Sequence, residues 1–186
     1  MRRREVGSDD DAIRSEVVVV PDSDSQADGA TLLDGVELGC GSGPRRRINA
    51  VSLEVIEHKG TTYAEVIWAG TSVEKTTFFS PAASSFQFGL LAHAAGYQEE
   101  PHYHKTVQRS IDDLQQMFVV QHGIVDVQLF TDDNRLFREV RLHPGDAIVL
   151  VHGSHAIKVV EDFQALSVKQ GPFFGDEIDK VVVEPS

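Results

Sequence analysis

From Ala50 onward the chain breaks into short, β-rich runs divided by turn residues: AVSLEVIE, TTYAEVIW, TTFFS, FQFGLLAHA, QQMFVVQ, IVDVQLF, LFREVRL, AIVLVH, AIKVVE and ALSVKQ. Many alternate apolar with polar residues, as Val125, Val127 and Leu129 do against Asp126 and Gln128. Successive side chains of a strand point to opposite faces, so such a run buries one face and wets the other. The spacing of the runs predicts an all-β sandwich or barrel. Turn chemistry agrees. Gly123 separates two strands, TDDN (131–134) joins the next pair, and HPGD (143–146) supplies Pro and Gly at the two central positions of a type II turn. KTVQRSIDDLQQ (105–116) carries the one helical signal, with Ser110 as its cap.

With 186 residues, 41% of them hydrophobic and 25% charged, the chain suits one domain with a tail. No apolar run approaches the ~20 residues of a membrane span. Seventeen Lys and Arg stand against 29 Asp and Glu, a net charge of -12 that repels a phosphate backbone, so neither nucleic acid nor a membrane is expected as a partner. Cys40 is the single cysteine and agrees with a reducing compartment. Only four valines (Val17 to Val20) follow the basic start and the acidic run at Asp9 to Asp11, too few for a secretory signal, and the expected location is cytoplasmic. PDSDSQADGA (21–30) offers almost nothing to bury, and Arg45 to Arg47 read as a solvated charge run. Residues 1–48 are therefore expected as a flexible, partly disordered segment and residues 49–186 as the folded domain.

The stretch EEPHYHK (99–105) raises the question of chemistry. On a strand His102 and His104 point the same way and Tyr103 the other, so two imidazoles can share one metal ion or simply be two polar residues of an ordinary strand. Further ligands must come from elsewhere in the chain. Gln115 and Gln116 open the next strand, and His155 starts a strand after the tight Gly153–Ser154 turn. In an antiparallel barrel, side chains from three strands converge on the lumen. His152 and His122 read as surface residues, His93 as a core or lumen residue, and His58 has no motif around it. In VKQG (168–171), period two lets either Lys169 or Gln170 face the lumen, with Gln170 the favoured pocket residue. Tyr103 and Phe118 are assigned to the core or to a subunit interface.

These residues resemble the cupin superfamily. Gly96, His102, His104, Gln116 and Gly123 fall where its first motif has glycine, HxH, glutamate and glycine. Gly145, Val151, Gly153 and His155 follow its second motif, with valine in the common proline position and the last two residues one position closer. A narrower resemblance spans roughly residues 67 to 180, through TTFFS, FQFG, PHYHK, LQQMF, PGDAIVLVHGSHA and VKQGPFFGDEIDK. These look like small single-domain cupins that read TQE, GGHG and KQGPY at those points, some of them associated with sugar-nucleotide or surface-polysaccharide pathways. Here Gln116, Ser154 and Phe173 replace the glutamate, the second glycine and the tyrosine.

The resemblance implies a double-stranded β-helix (jelly-roll) barrel that pairs as a homodimer, with the segment from Ala50 to Trp68 against the partner subunit. Carried over position by position, it makes His102, His104 and His155 imidazole ligands and puts Gln116 in the carboxylate position of a divalent transition-metal site (Zn, Fe, Ni, Mn or Cu). Of the two residues that strand periodicity offers to a small-molecule pocket, Gln170 is held as the pocket residue, and Lys169 is either an anion-binding residue there or a solvated edge-strand lysine. The implied activities are a sugar-derivative isomerase or epimerase and an Fe(II)-type oxidoreductase. An amide is a neutral, weaker donor than a carboxylate. The alternative is accordingly a non-catalytic domain that binds a small ligand and keeps a degenerate metal site.

Overall fold

The computed structural model describes residues 13–18, by backbone alone, and residues 52–186. Its strands are β1 (Ile13–Val18), β2 (Leu53–His58), β3 (Thr61–Ile67), β4 (Thr77–Phe78), β5 (Gly89–Leu90), β6 (Gln116–Phe130), β7 (Leu136–Leu142), β8 (Ala147–Leu150) and β9 (Ser154–Lys169). One helical turn, α1 (Asp176–Asp179), follows. The fold is all-β, as the alternation predicts. Strand β1 lies within the stretch expected to be flexible and pairs antiparallel with β2. The rest of residues 1–48, including Cys40 and Arg45 to Arg47, lies outside the described residues.

Seven strands form one antiparallel sheet in the order β1-β2-β3-β8-β6-β7, with β9 along the other side of β6. Strand β6 organises it. Its first half pairs with β8 and its second with β7, while β9 follows it from Gln116↔Lys169 to Phe130↔Ser154. Gly123 and the runs on either side of it thus belong to one bent strand, not to two strands and a turn. AIKVVE and ALSVKQ likewise merge into β9.

The bend has a local cause. Register shifts between Val120 and Val125 throw extra residues into the ribbon, and Gly123 sits in the left-handed region at φ 79°. A Cβ on Gly123 would lie 1.9 Å from the Asp162 carbonyl oxygen of β9, so only glycine fits. The sheet curls far enough that strands remote along the hydrogen-bonded order touch. Arg138 of β7 donates to Glu54 of β2 at 3.0 Å, and the Phe137 ring packs on Tyr63 and His58 at 4.8 and 5.2 Å between centroids. The result is a half-barrel.

Its concave side is lined by Ile56, Ala64, Val66, Val127, Leu129 and Ile148, among other apolar residues. Strand β8 is buried on both faces, as a continuous apolar AIVL run implies. Ile148 and Leu150 face the interior, while Ala147 and Val149 face a second cluster capped by Phe79, Phe86 and Phe88 around the separate β4–β5 ribbon. The outer face carries a charged row instead. Asp126 lies opposite Arg141 on β7 and Lys158 on β9, and its carboxylate accepts from Arg141 Nε and Nη2 at 2.7 and 2.9 Å. The carboxylate is covered (side chain 2% exposed), but the cover is thin, since the guanidinium above it is 57% exposed.

The turns at 131–134 and 143–146 form as expected. Asn134 takes φ 61°, and Gly145 at φ 89° fits the third position of a type II turn closed by Asp146 N donating to His143 O at 3.0 Å. The helix expected within 105–116 does not form, and Ser110 instead donates to the Asp112 carboxylate at 3.4 Å. Ser and Asp compete with helical bonding through such local contacts.

Replacing Gly123 with Ala should cost about 3 kcal/mol, because backbone clash adds to a positive φ. Gly60→Ala is the control. Gly60 has φ 80°, a Cβ there would meet nothing within 4 Å, and the variant should lose only about 1 kcal/mol. Equal losses in urea melts would contradict the close β6–β9 approach. The Arg141 hydrogen bonds, then desolvation acting the other way and the Arg141 charge, leave the Asp126 pKa below its ordinary value. The resulting stability is present above the ordinary carboxylate range and is lost as pH falls through the depressed value. Arg141→Met should thus melt about 2 kcal/mol less stable at pH 7, with the gap to the native protein closing below about pH 4.

Candidate functional site

Strand β9 is the key to the concave groove. Its residues 155 and 169 are fourteen apart, about 46 Å on a straight strand at ~3.3 Å per residue. Yet His155 and Lys169 both line one groove of about 340 Å³, together with Gln116, Phe118, Ile157 and Lys180. The curl of the β6–β9 ribbon brings its two ends together.

The wall residues on β6 and β9 are placed by register. Gln116 pairs with Lys169 on one side and Leu150 on the other, and Leu150 pairs with Ala64 of β3, so the groove's polar residues continue a row that ends in the core. The Gln116 amide donates to Ser167 Oγ at 3.0 Å, which fixes its orientation and leaves its carbonyl oxygen as an acceptor. His155 lies opposite Leu129 at the other end of β9. The residue is exposed overall, yet packing of its ring against the groove walls removes enough water to lower its pKa, and the charge of Lys180 lowers it further. At neutral pH it is an uncharged imidazole, able both to donate and to accept.

The Lys169 ammonium stands 4.3 Å from the centroid of the Phe173 ring, a cation–π contact that holds the side chain at the groove wall. Gln170, the favoured pocket residue, is used differently. Its carbonyl oxygen accepts from Gln115 N at 2.8 Å and its amide donates to Ser85 Oγ at 3.0 Å, so it ties the end of β9 to the loop before β5. Period two allows one of these neighbours to face inward. Pairing with Gln116 selects Lys169. Phe118 lies at the groove wall and packs on the core, whereas Tyr103 is 86% exposed.

The structure does not bring the three histidines together. His102 and His104 lie in the segment from 91 to 115, which has no strand and is exposed over most of its length. Their rings are 5.4 Å apart between centroids, and His102 Nδ1 lies 3.0 Å from Glu100 O and 3.9 Å from Glu99. Among the described residues no three His, Cys, Asp or Glu side chains gather as a metal site. His155 and Gln116, with two lysines beside them, do not fit a divalent cation in this arrangement.

The remaining histidines have local surroundings, His143 lying 3.7 Å from the Asp146 carboxylate. His93 is exposed and stacks on Tyr97 at 3.9 Å rather than entering the core. His122 meets the Asp162 carbonyl and Gln164 at 3.2 Å each, and His152 pairs with Asp132 at 2.9 Å. His58 is buried beside Tyr63 and Phe137, with Nδ1 unpartnered. The wall residue that strand reasoning missed is Lys180, which the chain carries back to the groove after α1. No helix of the described residues is long and apolar enough to cross a membrane. Compared with protein-family models, curated proteins and solved structures, the chain has no match.

Proposed function

We propose that this protein is a small-molecule-binding barrel of the cupin type whose ligand lies in the concave groove. One observation carries the reading: Gln116 and His155, positions that the cupin resemblance marks as functional, share a groove with Lys169 although they come from opposite ends of the β6–β9 ribbon. Ligand pockets pair an apolar wall with a few convergent polar groups. Phe118 and Ile157 supply the apolar wall, and the Gln116 amide and the neutral His155 supply direction. The binding reading is preferred to a metal-dependent isomerase, epimerase or Fe(II)-type oxidoreductase because His102 and His104 stand apart from this wall and Gln116 supplies no carboxylate.

Elemental analysis of protein purified without chelator or affinity-tag metal separates the two readings. The binding reading expects no stoichiometric metal that depends on the HxH pair, before or after exposure to Zn(II), Fe(II), Ni(II), Mn(II) or Cu(II). Near-stoichiometric metal in the native protein that is lost in a His102→Ala/His104→Ala double variant would overturn it. His102, His104, His155 and Gln116 would then stand as a metal ligand set, as the metal-dependent reading requires.

A further inference from the structure

The charges on the groove wall specify more than a small molecule. Lys169 reaches the wall from the end of β9 and Lys180 from the segment after α1, and among the described residues no carboxylate lines the groove with them. This occurs on a chain that carries 29 acidic and 17 basic residues. Two ammonium groups concentrated in a concave, partly desolvated surface raise the local positive potential, against the sign of the protein as a whole.

Neither lysine is committed to a strong partner. Lys169 rests on the Phe173 ring, which leaves its N–H donors available. Lys180 pairs with Asp176 at 2.8 Å, but both side chains are mostly exposed, 61% and 68%. Exposed pairs of this kind contribute between nothing and about 1 kcal/mol, so an incoming anion can exchange with Asp176 at little cost. The carboxyl of Asp176 is held below its ordinary range first by the hydrogen bond from Lys180 and then by the charges of Lys180 and Lys169. Asp176 is not itself a wall residue, but its carboxylate beside Lys180 also feels the charge of Lys169, so an anionic oxygen at this lysine lies within reach of both ammonium groups.

We infer that the groove takes a small organic anion, its carboxylate or phosphate group held between Lys169 and Lys180 and its apolar body against Phe118 and Ile157. Gln116 and His155 then lie within the same groove to hydrogen-bond the ligand's polar substituents. A volume of about 340 Å³ limits the ligand to the size of a single-ring metabolite. The inference rests on the proposed reading of the groove as a ligand site and adds the class of ligand, together with Lys180 as a recognition residue.

The test uses phenyl phosphate, benzoate and the uncharged benzyl alcohol as probes, followed by the amide resonances of β6 and β9 in the full-length chain. The native protein should bind phenyl phosphate or benzoate with shifts confined to the ends of β6 and β9, and more weakly as salt is raised. Lys169→Gln and Lys180→Gln should each weaken that binding about tenfold, with unchanged thermal melts showing that both variants fold. Preference for phenyl phosphate over benzoate would assign the anion as phosphate, and the reverse preference as carboxylate. Anion binding undiminished in the Lys169→Gln/Lys180→Gln double variant would overturn the inference. Benzyl alcohol binding as tightly as either anion would overturn the charge assignment alone and leave the groove as a ligand site. Failure of all three probes to shift groove resonances would count against both readings.

Discussion

The β6–β9 ribbon must bend at Gly123, and most of the structure follows from that constraint. A fifteen-residue strand is about 50 Å long if straight, longer than a compact domain of this size can hold flat. Bulges and a glycine pressed against the Asp162 carbonyl convert that length into curvature. Because β8 pairs with the first half of β6 and β7 with the second, bending β6 also sets these strands on facing walls. The Glu54–Arg138 ion pair and the Phe137 contacts with Tyr63 and His58 then close across the interior. The groove is a by-product of the same curl.

Polar groups are distributed consistently with this geometry. The outer face of β6 carries Asp126 in its charged row, whereas the inner face at the same level carries Val125 and Val127. A one-residue slip would exchange these sets, so the charged row and the core specify one register together. Strand β9 is thinly covered, with most of its residues exposed. Its charged residues Lys158, Glu161, Asp162 and Lys169 blunt an edge that would otherwise invite pairing with another chain. At the groove, the same exposure leaves Lys169 and His155 accessible to a ligand.

Much of the fold is legible in the sequence because it depends on local rules. Alternation identifies the strands, and LFREVRL becomes β7 from its first residue to its last. Asn134 and Gly145 adopt the positive φ values that their turns demand. Gly123 reads as a turn in the sequence because a positive φ serves a bulge and a hairpin equally well, and only the contact with Asp162 across the ribbon separates them. The site is legible in part. His155 and Gln116 share a groove, while placing His102 and His104 on one face requires a strand that does not form. Period two narrows the lumen residue to Lys169 or Gln170, and the choice depends on a register with β6 that β9 alone does not encode. Lys180 reaches the wall through a chain return after α1, for which strand periodicity carries no signal.

The curl of β6–β9, by bringing the two ends of β9 to one groove, is the feature on which the functional reading rests. Its most direct test is the distance between spin labels at Ile157→Cys and Lys169→Cys, in a chain with Cys40→Ser so that no other thiol is labelled. Pulsed electron–electron dipolar spectroscopy should give a single, narrow distribution centred well below the length of the intervening straight strand, which is about 40 Å. A distribution centred near that full length would show an extended ribbon and contradict the groove.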